Sequence, residues 1–140
     1  MIEIPLTLIP IEPGGYHIMI ELSVNGLKAN TLIDTGASKT IMDLARARHY
    51  INNPDIKAFG KQLTGVGTAR IDTWVTTVEE IRFAHYAMKN LPLVLADLQT
   101  INAGYAVYDL PRIDMVLGGD LLQKLGAVVD YSNKLLKIKI

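Results

Sequence analysis

One carboxylate is set apart by its neighbours. Asp34 closes the apolar run Leu32-Ile33 and is followed at once by Thr35, Gly36, Ala37 and Ser38. Aspartate favours turns and helix caps over places where a chain enters a core. On a strand end such a group has a rigid mount, and Gly36 lets backbone lie close enough to offer an amide to the ionised form. Its chemistry would be activation of water. Amide hydrolysis without a metal or a nucleophilic side chain needs a base for the water and an acid for the carbonyl oxygen and leaving nitrogen. Two carboxylates about 3 Å apart supply both, because they share one proton.

The chain holds no second copy of this pattern. The other aspartates are Asp43, Asp55, Asp72, Asp97, Asp109, Asp114, Asp120 and Asp130, and none precedes Thr-Gly or Ser-Gly. Asp72-Thr73 is the nearest mimic, with Trp74 in place of glycine. Competing chemistries lack their residues. With no cysteine there is no disulfide, thiol nucleophile or cysteine zinc site. His17, His49 and His85 lie far apart without metal-ligand spacing. The glycine-rich "GVGT" precedes no Lys-Ser/Thr helix start and is not a phosphate loop.

The elements that must position Asp34 read mostly as strands. Ile2, Ile4, Leu6 and Leu8 alternate with polar residues and Pro5, the pattern of one edge strand. "YHIMIELSV" and "LKANTLI" flank Asn25-Gly26, a type I′ hairpin signal, and the second runs straight into Asp34. "IMDLARARHYIN" predicts a helix that could cap at Asp43. "KQLTGVGTARIDTWVTTVEEIRF" predicts two strands about a glycine turn, and "IRFAHYAM" and "LPLVLADL" continue the β pattern. Residues 97–111 are ambiguous between a short helix and a loop. "DMVLGG" predicts a short buried strand, "DLLQKLG" a helix capped by Gly126, and "AVVDY" with "LLKIKI" a final hairpin. No repeat or low-complexity linker divides the chain, so residues 1–140 are expected to form one all-β domain with one or two short helices.

Three features in order, "LIDTGAS", "GVGT" and "MVLGGDLL", resemble the retropepsin-like aspartic proteases, the family of retroviral proteases and their cellular and bacterial relatives. The resemblance spans roughly residues 15–140. It implies a closed β-barrel of the acid protease type, one lobe per chain, and endoproteolysis of an extended peptide. Asp34, Thr35 and Gly36 fall on the catalytic motif, Thr35 reaching across to the partner loop. Ala37, Ser38, Gly65, Val66, Gly67 and Thr68 fall on substrate-binding positions, the last four as a flap that closes over the peptide. Val116, Leu117 and Gly118 match the segment that packs beneath the catalytic loop. A two-lobed enzyme would need about twice this length, so the missing carboxylate implies a homodimer with one Asp34 from each chain. In the family, terminal strands of both chains interleave. No cofactor or metal is implied. The alternative is a peptide-binding or dimerisation module of the same fold that cuts nothing.

This chain departs from the family in two places. Ser38 and Gly119 stand where retroviral members carry an acid and an arginine that pair, so both halves are missing together and neither charge is orphaned. Ala37 stands where pepsin-like enzymes carry a hydroxyl that favours the ionised carboxylate, which predicts a milder acidic optimum than theirs. Lys39 could line the site and favour acidic substrate side chains, although a solvated lysine is the ordinary reading there.

Composition excludes other classes. Fourteen basic and fourteen acidic residues leave no net charge, and no aromatic-basic interleaving points to nucleic acid. Hydrophobic residues at 49% and charged ones at 20% are ordinary globular values. The start "MIEIPLTLIPIEPGG" is neither a signal peptide nor a membrane span, so a cytoplasmic location without a membrane partner is expected.

Overall fold

A computed structural model describes residues 1–63 and 70–139. Among the described residues eleven strands are present: β1 (Ile2–Pro5), β2 (Thr7–Glu12), β3 (Gly15–Val24), β4 (Leu27–Ile33), β5 (Ile41–Asp43), β6 (Lys57–Leu63), β7 (Arg70–Phe83), β8 (Tyr86–Ala96), β9 (Met115–Leu117), β10 (Val128–Asp130) and β11 (Leu135–Ile138). Between them lie α1 (Ala47–Tyr50), α2 (Gln99–Val107), α3 (Gly119–Lys124) and a 3-10 turn, Leu44–Arg46. The fold is therefore mostly β. Among the described residues no helix is long and apolar enough to cross a membrane.

Eight strands form one sheet in the order β2-β3-β4-β9-β5-β8-β7-β6. A further pairing of β3 with β7, Ser23 to Arg82 and Val24 to Ile81, closes six of them into a ring. Asn25 and Gly26 take positive φ, 50° and 84°, as the I′ turn requires. The Asn25 side chain also ties that turn down, donating to the Tyr50 carbonyl and accepting from the Glu80 amide.

The middle of the ring places Asp34. β4 and β9 run parallel, Thr31 beside Met115 and Ile33 beside Leu117, and all three residues of β9 are buried. Strands covered on both faces read as unbroken apolar runs, as "MVL" does. Alternation then divides their side chains. Ile33, Met115 and Leu117 enter the main core, which also holds Val78, Ile81 and Phe83. Leu32 and Val116 enter a second cluster with Ala37, Ile41, Val94, Leu98 and Tyr105.

Two expectations need correction. The N-terminal alternation is not one strand. β1 pairs with β11 and β2 with β3, and Leu6 between them is buried with its amide on the Lys134 carbonyl. Burial skips a phase there, from Leu6 to Ile9. Pro5 does lie on an edge strand, since β1 has β11 as its one neighbour in the sheet β1-β11-β10. The helix expected from Ile41 begins later. Ile41, Met42 and Asp43 are all buried between β8 and β9, where pairing on both sides outweighs helical composition. Asp43 still caps the 3-10 turn by accepting from the Ala45 amide.

Two buried acids brace this region. Asp114 accepts from Arg46 Nε at 3.0 Å and the Asn30 amide at 3.0 Å. Asp43 accepts from Arg112 at 3.3 Å and from the Ala45 and Leu98 amides. Burying a carboxylate is tolerable only with such partners.

Candidate active site

Asp34 follows directly on β4, and its amide continues the parallel ladder by donating to the Leu117 carbonyl at 3.0 Å. The chain then turns back. The Ala37 amide donates to the Asp34 carbonyl, and the Gly36 amide donates to Asp34 Oδ1 at 2.9 Å. A Cβ on Gly36 would stand 3.3 Å from that oxygen, so glycine leaves the carboxylate its room. The aspartate side chain is exposed and oriented by a backbone donor, as a base toward water requires. Thr35 and Gly36 are exposed beside it, and among the described residues the Thr35 hydroxyl makes no hydrogen bond.

The loop is welded to the segment after β9. The Gly119 amide donates to the Ala37 carbonyl at 2.7 Å and the Asp120 amide to the Ser38 carbonyl at 3.2 Å. Thr40 reinforces this from its amide and its hydroxyl, both donating to Asp120 Oδ1, at 2.9 and 2.7 Å. Its Oγ1 in turn accepts from the Gly118 amide. Ser38 and Gly119, where an ion pair would sit in retroviral relatives, are thus each held by main-chain bonds, Ser38 to Asp120 and Gly119 to Ala37. A Cβ on Gly118 would lie 2.5 Å from the Lys39 carbonyl oxygen, so backbone packs on backbone there.

Asp34 stands between two depressions. One is lined by Ala37, Ser38 and Lys39 with apolar walls from Ile41, Val94 and Val116. Leu98 and Ile101, at the start of α2, close its far side. The other carries Tyr16, His17 and Tyr131, with both tyrosines more than half exposed. Asp34 is the one acid lining either depression among the described residues.

From residues 97–111, Leu98 and Ile101 therefore wall the depression that holds Asp34. The Asn102 side chain clamps Ile113 from both sides, donating to its carbonyl and accepting from its amide. The buried Tyr105 hydroxyl meets His17 Nδ1 at 2.7 Å, and burial pushes that phenol up to about 12. Sequence reasoning missed Leu98, Ile101, Thr40 and Asp120. The signal for Asp120 was its place in the first turn of a helix, where acids are favoured; nothing pointed to Thr40 as its partner.

Gly65, Val66, Gly67 and Thr68 lie outside the described residues. The strands that lead to them, β6 and β7, are paired from Lys57 to Val75 through Leu63 to Arg70. Ile71, just inside β7, lines the depression that holds Asp34.

A family model described as aspartyl protease matches residues 20–121. The chain is 31% identical over 129 residues to DNA damage-inducible protein 1 of Neurospora crassa, which covers 90% of this chain and 26% of that protein. It is 29% identical over 125 residues to the UBA domain-containing protein Mud1 of Schizosaccharomyces pombe, 88% of this chain and 33% of that one. The chain thus spans about a quarter to a third of the length of these relatives. Among solved structures, EIAV protease complexed with the inhibitor HBY-793 matches with a TM-score of 0.57 at 24% identity, covering 80% of this chain and 90% of that one. A retropepsin-like aspartic protease from Rickettsia conorii matches with a TM-score of 0.57 at 20% identity, covering 96% and 85%. The retroviral protease-like domain of Ddi1 from Leishmania major matches at 0.53 and 14% identity, covering 86% of each. These likenesses establish the retropepsin-like fold.

Proposed function

The chain belongs to the aspartyl protease family, and from that premise we propose that it is an endopeptidase acting as a homodimer on polypeptide substrates. The observation that carries the proposal is the setting of Asp34. Its carboxylate is exposed, oriented by the Gly36 amide and mounted on a braced loop, and among the described residues no second acid lines either depression beside it.

A second Asp34 on a two-fold axis supplies what is missing. The ionised carboxylate takes a proton from water, whose oxygen attacks the peptide carbonyl carbon. The protonated carboxylate gives its proton to the carbonyl oxygen, forming a neutral diol. Collapse breaks the C–N bond as the leaving nitrogen is protonated. The free Thr35 hydroxyl suits a contact with the partner loop. The exposed Tyr16 and Tyr131 beside Asp34 suit a covered interface, where aromatic residues are enriched. Gly65, Val66, Gly67 and Thr68 act as the flap in this reading, Ile71 lines the depression that holds Asp34, and residues 1–140 act as one domain.

The alternative is a peptide-binding or dimerisation module of the same fold. β1 pairs with β11 of its own chain and, among the described residues, keeps its other edge open, an arrangement that serves either reading. Asp34→Asn separates the two readings. Wild type should cleave members of a peptide library between about pH 3 and pH 8, and the variant should not, while retaining peptide binding and dimer mass. A wild type that cleaves nothing would leave the binding module. A scattering mass of one chain under conditions of cleavage would end the shared-carboxylate mechanism.

A further inference from the structure

We propose that Lys39 selects substrates with a glutamate side chain in the depression beside Asp34, an inference that rests on the peptidase reading. Three observations support it. The root of Lys39 is rigid: its carbonyl packs on Gly118, and its neighbours Ser38 and Thr40 are both tied to Asp120. Lys39 is exposed and lines the same depression as Asp34. It is also unneutralised. Lys28 and Lys137 each have a carboxylate at 3.1 Å, whereas among the described residues no acid lies within ion-pair distance of Lys39.

The rest of the wall explains why the ligand is glutamate. Ile41, Val94, Leu98 and Ile101 offer apolar contact to methylenes, and the ammonium offers a charge to the end of a chain of that length. Aspartate is shorter and leaves the apolar wall uncovered. Asp34 matters too. An anionic side chain entering a depression that already holds a carboxylate is repelled, unless a cation on the same wall reverses the local sign. Lys39 is placed to do that. A bound peptide covers the rim and removes water, which strengthens the pair relative to an open surface.

The test uses peptides that the protein cleaves, made in pairs with glutamate or glutamine at each position around the scissile bond. At one position wild type should show kcat/KM about three- to fivefold higher for glutamate, the range of a rim ion pair. Lys39→Arg should keep that ratio, Lys39→Gln should bring it near one, and Lys39→Glu should invert it in favour of a lysine peptide. Cleavage with a ratio near one at every position, or a ratio that ignores Lys39→Glu, overturns the proposal. The same fluorescently labelled pairs, read by anisotropy, cover the case of no cleavage. A glutamate preference in binding that depends on Lys39 then supports Lys39 while the hydrolytic reading falls. Absence of that preference overturns both.

Discussion

Thr40 and Asp120 lie 80 residues apart in sequence and are joined twice, the threonine amide and hydroxyl both donating to one carboxylate oxygen. That pair, with the Gly118 amide on Thr40 Oγ1, joins the two segments that form the floor of the site. Thr40 is almost fully buried, at 2% exposure. Thr40→Val keeps the shape but removes a donor and an acceptor, leaving the Gly118 amide unpaired. The expected loss is about 2 kcal/mol, read as a lower urea midpoint at unchanged slope.

Gly118→Ala tests the same floor from the other side. Its Cβ would meet the Lys39 carbonyl oxygen at 2.5 Å, and backbone cannot rotate away as a side chain could. Overpacking of this kind costs about 1–3 kcal/mol. Because the displaced atoms belong to the loop that carries Asp34, peptide cleavage should fall further than stability alone explains. Melting temperature and kcat measured on the same sample separate the two.

The two buried acids predict unequal arginines. Arg46 is mostly covered, and without it Asp114 keeps the Asn30 amide and the neighbouring Tyr50 hydroxyl but loses its cation. Arg112 is half exposed, and Asp43 keeps two backbone donors without it. Arg46→Ala should cost about 3 kcal/mol and Arg112→Ala about 1 kcal/mol. Parallel denaturant titrations check the order; equal losses would contradict it.

Asp130 sets a pH dependence. The Asn133 side chain and amide, then Lys137, hold its carboxyl down at about 2, from 3.8. A folded value below the unfolded one means stability that is complete above about 4 and lost as pH falls toward about 2. Asp130→Asn should therefore lower the melting temperature at neutral pH, and the gap from wild type should close across that acid window. A gap constant with pH would rule out this origin.

Much of the backbone of the candidate site was readable because its signals are local. Asp34-Thr35-Gly36 forms its turn from adjacent residues, Asn25-Gly26 takes the backbone angles its hairpin needs, and Gly126 caps α3 at φ 56°. What could not be read depends on distant partners. Nothing near Thr40 announces Asp120, and nothing in "QTINAGYAV" shows which face α2 buries, because Ala103, Gly104 and Ala106 leave a weak apolar stripe. Leu98 and Ile101 become part of the site only when β8 delivers them beside Val94 and Val116. Ile41-Met42-Asp43 was misread for the same reason: its strand conformation comes from two neighbours that arrive from elsewhere in the chain.

The small sheet β1-β11-β10 also has a mechanical consequence. β1 and β11 are antiparallel, and Ile2 faces Ile138 while Pro5 faces Leu135. The two ends of the chain therefore leave the sheet side by side. Tension applied between them loads the rungs of this ladder one after another, as in a zipper, and not all together in shear. The clasp should peel at low force, while the ring that carries Asp34 stays closed through its β3–β7 pairing.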